Sequence, residues 1–320
     1  MREREEDPLA RCRVLVLGAG GLGCELLKNL ALLGIPELHV IDMDTVELTN
    51  LNRQFLFRET DIGHPKAPVA ARYINGMALP SVVPGQSVRV EPHVGDLTQQ
   101  PAAFWEDFTA VLSGLDAIEP RRHANALLVR LTLSSNYAKC IPLIDGGSEG
   151  FSGHCKTILP GISACYECSL GTLAPPGLAF PMCTIAHKPR LPEHIVMYVV
   201  TVEWPSAPLP AGSSFDDQDA AAWLTQRCTA RAAAFGMDPA AFTTAYVLGI
   251  AKRIVPSIAS TNAIVAAACC SELLKLVRDL AEPEDMNNFL QYNGAEGCFA
   301  YSFTHQRLPS CPVCGHGDDC

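Results

Sequence analysis

The chain has 320 residues, 48% hydrophobic and 18% charged, enough apolar material to bury a core in one large domain or two small ones. Asp and Glu number 34 against 24 Lys and Arg, and the net charge of -10 disfavours nucleic acid and anionic membrane as partners. No apolar run reaches the ~18 residues of a membrane span, the start MREREEDP carries no apolar signal, and the 14 cysteines are expected as reduced thiols, metal ligands or nucleophiles in cytoplasm or nucleus.

Val14–Leu17 reads as a buried strand that ends in glycine. A helix is expected over Leu22–Leu33, with Leu22, Leu26, Leu27 and Leu30 on one face and Gly34 as its stop. Leu38–Ile41 follows as a second strand ending at Asp42, a βαβ start that predicts a parallel sheet. Pro65–Asn75 is a helix, Pro65 being suited to its first turn. Val88–Pro92 and Ala110–Leu112 are strands, the second followed by the turn Ser113-Gly114-Leu115-Asp116. Arg121–Leu133 is helical and Pro142–Asp145 is a strand. Prolines then crowd between 175 and 243, around a helix at Asp219–Phe235, which reads as an inserted subdomain. Thr261–Val277 is a long helix, and Phe289–Asn293 with Phe299–Phe303 form a terminal antiparallel pair.

Gly18, Gly20 and Gly23 make a G-x-G-x-x-G between the first strand and first helix. Glycine allows a tight turn and close approach of backbone to phosphate, and the helix start offers unpaired N–H groups to an anion. The motif alone fixes no reaction, and a glycine turn used only for packing looks the same. Asp42 suits a ribose hydroxyl acceptor, with Asp44 competing for the role. Asn50, Asn52, Arg53, Gln54 and Lys66 put cations and amides where a phosphate chain would lie, which suits nucleotide cleavage better than hydride transfer. Asp116 follows a buried strand at its C-terminal end, where a carboxylate could hold magnesium or merely cap a turn.

Cys165-Tyr-Glu-Cys168 and Cys311-Pro-Val-Cys314 are two C-x-x-C pairs, the pattern of a tetrahedral structural zinc site tying the end of the chain to its middle. His316 and Cys320 are near enough to compete as ligands. Cys183 stands alone in Phe-Pro-Met-Cys-Thr-Ile, and residue type leaves both a buried apolar role and a nucleophile open to it.

GAGGLG, IDMD, NLNRQF, Lys66, the Gly114-Leu115-Asp116 turn, the two C-x-x-C pairs and FPMCTIA occur in this order. The set resembles the activating enzymes of ubiquitin-like proteins, specifically their neddylation branch, with LGCELLKNLALLGIPELHVIDMDTVELTNLNRQFLFRETDIG, PLIDGGSEGF, FPMCTIAHKPRLPEH and KRIVPSIASTNAIVAA carrying the likeness over nearly the whole chain. The resemblance implies a Rossmann-like, doubly wound, mostly parallel α/β sheet with an inserted, mainly helical catalytic-cysteine subdomain. On this chain that gives an adenylation domain over 8–182 and 244–320, closed by zinc, around an insert at 183–243. It implies magnesium-ATP adenylation of the modifier's C-terminal carboxylate, thioester formation on a cysteine, then transfer to a conjugating enzyme. By this likeness Gly18, Gly20 and Gly23 line the phosphates, Asp42 holds the ribose, Asn50, Arg53 and Lys66 contact the phosphate chain, Asp116 holds magnesium and Cys183 is the nucleophile. It also implies a regulatory partner subunit, and at Lys156 a basic residue facing the modifier tail. The family subunit usually continues past the second C-x-x-C into a ubiquitin-fold domain, which residues up to Cys320 do not include. Two rivals are a sulfur-carrier adenylating enzyme of the molybdopterin and thiamin type, which lacks the insert, and a non-catalytic scaffold subunit, which has no need of the polar site.

Overall fold

A computed structural model describes residues 7–172, 182–210, 212–252, 257–282 and 286–315, apart from the side chains of residues 172 and 182–184. It has two compact units, Met1–Leu173 with Ser257–Cys320, and Ala174–Pro256.

The first unit is built on eight strands: β1 (Arg13–Leu17), β2 (Glu37–Asp42), β3 (Arg89–Val94), β4 (Ala110–Ser113), β5 (Leu143–Glu149), β6 (Ser152–Ile158), β7 (Phe289–Asn293) and β8 (Phe299–Phe303). Their order is β3-β2-β1-β4-β5-β6-β7-β8. The first five run parallel and the last three antiparallel. The central strands β1 (VLVL) and β4 (AVL) carry unbroken apolar runs because both of their faces are covered, whereas the edge strand β3 (RVEPHV) mixes in polar residues. In β1 the alternation is visible residue by residue: Val14 and Val16 enter one core with Leu26, Val69 and Val265, while Leu15 and Leu17 enter the other with Val111, Leu127 and Leu128.

Helices α1 (Gly21–Leu32) and α2 (Lys66–Gly76) lie on the first face and α3 (Ile118–Ser134) on the second. From β1 the chain winds outward through β2 to β3, then returns to place β4 on the other side of β1. That reversal is a topological switch point, and open α/β sheets bind ligands beyond the strand ends there.

The second unit holds α4 (Met182–His187), α5 (Pro192–Tyr198), α6 (Gln218–Ala234) and α7 (Thr244–Ala251). Ile195, Val196, Val199, Leu224, Cys228, Phe242 and Val247 form its core. Trp204 packs on Phe215 with ring centroids 4.5 Å apart. The proline-dense stretch, 175–243, and the insert implied by the likeness, 183–243, both fall inside this unit.

Back in the first unit, α8 (Ala259–Val277) is long and apolar enough, by length and composition, to cross a membrane. Its Val265, Ala266, Cys269, Cys270 and Leu273 are buried against the sheet, as in a core helix. The sequence reading did not anticipate β6, because SGHCKTI has no apolar alternation. Its polar His154 and Lys156 side chains are accommodated by partners inside the protein.

Candidate nucleotide crevice and cysteine cluster

Gly18 leaves β1 with φ +88°, a conformation that favours glycine, and its N–H donates to Ile41 O at 2.9 Å. Across the crevice Gly114 N donates to Leu17 O at 2.9 Å, so the turns after β1 and β4 rise side by side. A Cβ on Gly18 would sit 3.2 Å from Gly114 O. One on Gly23 would fall on the Gly18 carbonyl, 2.8 Å from its carbon. These two glycines serve close packing. Gly20 differs: it precedes α1 with φ -73° and ψ -161°, and a Cβ there would meet nothing within 4 Å. The open space lies where α1 presents unpaired N–H groups and its positive dipole end.

Asp42 ends β2 and accepts from Ala19 N at 2.6 Å through Oδ2 and from Asp44 N at 2.8 Å through Oδ1. It thus ties the glycine turn to the segment after β2. Burial pushes its carboxyl above the usual carboxylate range, against the opposing pull of those N–H groups and of Lys66. Lys66 is 7% exposed, and its Nζ lies 2.8 Å from Asp44 Oδ2. The two aspartates that compete in sequence therefore divide the work, Asp42 holding backbone and Asp44 holding the cation.

Buried Asn50 accepts from Glu47 N at 2.9 Å. Arg53 donates to Thr49 O and Asn52 Oδ1, each at 3.0 Å, and its Cγ would lie 3.5 Å from a Cβ on Gly21. The NLNR segment therefore reaches the glycine turn. Next to Arg53, Gln54 is buried with its Oε1 unpartnered among the described residues. Asn262 of α8 closes the other side: its Oδ1 accepts from Ser148 Oγ at 2.6 Å and its amide nitrogen abuts Gly21.

Asp116 is exposed, and among the described residues its carboxylate has no hydrogen-bond or ion-pair partner. One turn into α3, Arg121 is 8% exposed. It donates to Asp145 Oδ2 at 2.9 Å, to Gly146 O at 3.0 Å and to Leu115 O. His154 Nε2 stands 3.5 Å from the same Asp145 oxygen and stacks on Phe289. Burial alone would raise the Asp145 pKa, but Arg121 and His154 hold it below the usual carboxylate range. Sequence reasoning missed this network. A lone arginine in a helix reads as a solvated residue, although Asp145, the last residue of the strand expected over Pro142–Asp145, was a signal of the same kind as Asp42; the strand in fact runs on to Glu149.

Cys165, Cys168, Cys311 and Cys314 converge, all Sγ atoms lying within 4.8 Å of one another. The Cys165–Cys311 separation is 3.6 Å and the Cys168–Cys314 separation 3.4 Å. Four sulfurs at about 2.3 Å from a tetrahedral zinc stand roughly 3.8 Å apart, so the cluster is compatible with zinc. Burial pushes Cys165 and Cys314 up. At Cys311 burial is outweighed by backbone N–H groups and the other thiols, which bring it down to about 7. His316 and Cys320, the competing ligands, lie outside the described residues.

Lys156 corrects an expectation. Its ammonium does not face outward to a modifier tail: it is 2% exposed and donates to Cys165 O at 2.9 Å and Ser169 Oγ at 2.5 Å. On β6 it opposes Asp145 of β5, so the strand turns it inward. Burial lowers it to about 8, although the neighbouring sulfurs and Asp145 favour its charge.

In the second unit, Cys183 falls in α4, and its side chain lies outside what the structure describes. The far end of that short helix is held: Arg231 donates to Ile185 O and Ala186 O at 2.9 Å each, and stacks on Tyr198.

A sequence profile of the ThiF family matches residues 1–313. The chain is 50% identical over 308 residues to a protein named NEDD8-activating enzyme E1 catalytic subunit from Saccharomyces cerevisiae, covering 96% of this chain and 99% of that one. It is 42% identical to the protein of the same name from Schizosaccharomyces pombe, over 95% of this chain and 70% of that one. Among solved structures, E. coli MccB with ATP superposes with a TM-score of 0.59 at 20% identity, covering 97% of this chain and 68% of that one, a likeness of fold alone.

Proposed function

The chain belongs to the ThiF family, and on that footing we propose how its residues divide the activation of NEDD8. It is an activating enzyme for a ubiquitin-like modifier, and it works with a regulatory subunit, the modifier and a conjugating enzyme. The near-full-length 50% identity carries this reading. The same identity favours modifier activation over a sulfur-carrier enzyme or a scaffold.

The crevice is the adenylation site. ATP phosphates lie over Gly20 at the start of α1, where N–H groups and dipole favour anions. Asp42 holds the ribose, while Asn50, Arg53 and Lys66 face the phosphate chain. Lys66 exchanges part of its contact with Asp44 for phosphate oxygen, which moves its charge onto the group that departs as pyrophosphate. Asp116 is the carboxylate for magnesium, which when bound neutralises charge on the phosphate oxygens. The modifier's C-terminal carboxylate attacks the α-phosphate. The C–O–P bond of the acyl adenylate forms as the bond to pyrophosphate breaks. The Cys183 thiolate then attacks the acyl carbon and AMP leaves. The first unit is the adenylation domain, the second the catalytic-cysteine domain, and the four-cysteine cluster holds structural zinc. None of the cysteines whose side chains are described is in a disulfide, which supports a reducing compartment, cytoplasm or nucleus.

The test is a thioester assay on the chain with its partner subunit, magnesium-ATP and several modifiers in parallel. NEDD8 gives a thiol-sensitive adduct. Cys183→Ala abolishes it and preserves ATP–pyrophosphate exchange. An adduct on the Cys183→Ala protein removes Cys183 as nucleophile, and equal adducts with all modifiers remove NEDD8 selectivity.

A further inference from the structure

We propose that Arg121 is a positioning residue for adenylation: through Leu115 O it fixes the backbone from which Asp116 reaches the metal. The inference rests on the adenylation site proposed above and adds to it the group that sets the carboxylate's position.

Asp116 has no side-chain partner among the described residues. An exposed carboxylate with free rotamers is placed only as well as its own backbone is placed. The turn Gly114–Asp116 has two described anchors. One is the Gly114 N to Leu17 O bond, at the start of the turn. The other is Arg121, whose Nη2 donates to Leu115 O in the peptide that leads into Asp116. The same Nη2 reaches Gly146 O at 3.0 Å, so one guanidinium joins the turn after β4 to the backbone of the neighbouring strand β5.

Asp145 fixes the guanidinium in turn. It is 2% exposed and lies 2.9 Å from Nη1. Its other neighbour is His154 Nε2 at 3.5 Å, packed between Gly147 and the Phe289 ring. A buried carboxylate needs a fixed counter-charge, so the arginine cannot swing away without leaving an uncompensated anion. The chain of contact runs from the sheet through Asp145 and Arg121 to Leu115 O. Lysine in place of Arg121 keeps the charge but lacks the planar fork that bonds Asp145 and two carbonyls together.

The experiment measures ATP–pyrophosphate exchange by the two-chain enzyme at saturating ATP and modifier, as magnesium is varied. Melting temperature is recorded alongside. Arg121→Lys raises the half-saturating magnesium concentration about tenfold, the size expected for losing one charge-assisted contact. High magnesium restores most of the rate, because the carboxylate is mispositioned rather than lost. Asp145→Asn, which leaves the arginine in place without its anchor, shifts the magnesium midpoint in the same direction by less. It also serves as the informative variant if Arg121→Lys does not fold. A lower melting temperature with an unchanged magnesium midpoint in either folded variant overturns the inference, since a purely structural role predicts that result. Absence of magnesium-dependent exchange in the unmodified enzyme overturns the adenylation reading itself, a result visible before any variant is made.

Discussion

Replacing Gly20 with alanine separates the two uses of glycine in the first turn. Its φ of -73° and ψ of -161° suit any residue, and an added Cβ meets nothing within 4 Å. The fold therefore loses nothing, and restricting the unfolded chain contributes about 0.4–1 kcal/mol in its favour. That corresponds to a melting temperature unchanged or raised by no more than about 3 °C. Nucleotide binding responds in the opposite direction. A methyl in the open space keeps phosphate off the N–H groups of α1, and each hydrogen bond to a charged partner contributes about 1.5–3 kcal/mol. Loss of one such bond weakens magnesium-ATP binding by roughly ten- to a hundredfold. Gly23→Ala gives the mirror image. Its Cβ strikes the Gly18 carbonyl, 2.8 Å from the carbon, so backbone must move. Overpacking of this kind costs about 3 kcal/mol and lowers the melting temperature by several degrees even without nucleotide. Thermal melts with and without magnesium-ATP, together with calorimetric titration, read both quantities. The reasoning is refuted if Gly20→Ala binds ATP like the unmodified chain, or if it melts as low as Gly23→Ala.

Metal analysis should find about one zinc per chain. Cys168→Ser or Cys314→Ser should release it and lower the melting temperature by roughly 6–12 °C, and a chain with no zinc would sink the site. A third expectation concerns pH. Arg121 and His154 hold the Asp145 carboxyl below its ordinary value despite burial, so its ionised form contributes stability above the unfolded-chain pKa of about 4 and loses it as pH falls through the lower folded value. The gap in melting temperature between the unmodified chain and Asp145→Asn should be widest near neutral pH and close below about pH 4. A gap of constant width down to about pH 3 contradicts that linkage.

The parallel half of the sheet was legible because burial on both faces leaves its mark on every residue. VLVL in β1 is an apolar run ended by glycine, and LHVI in β2, interrupted only by the buried His39, ends at an aspartate. The same rule concealed β6, where Gly153, His154 and Lys156 interrupt the pattern. Its inward polar groups are satisfied by Asp145, Cys165 O and Ser169, residues 9 to 13 positions away in the chain. Local pattern carries no record of such partners. The helices Pro192–Tyr198 and Thr244–Ala251 were likewise hidden within or beside a proline-rich stretch whose composition reads as loop.

The sequence by itself determined the chemical parts: a glycine turn after a strand, carboxylates at strand ends, cations nearby, and two C-x-x-C pairs. Residue type and short spacing suffice for these, because the backbone geometry of a strand–turn–helix is local. Only the tertiary structure decided which parts meet. It separated Gly20, open to a ligand, from Gly18 and Gly23, closed against backbone. It gave Lys66 to Asp44 rather than Asp42, turned Lys156 inward beside the four thiols, and put Arg121 between the turn after β4 and the backbone of β5. The physical reason is that burial and charge compensation depend on distance in space. For Arg121 and Asp145, that distance is set by the order in which strands β4 and β5 join the sheet.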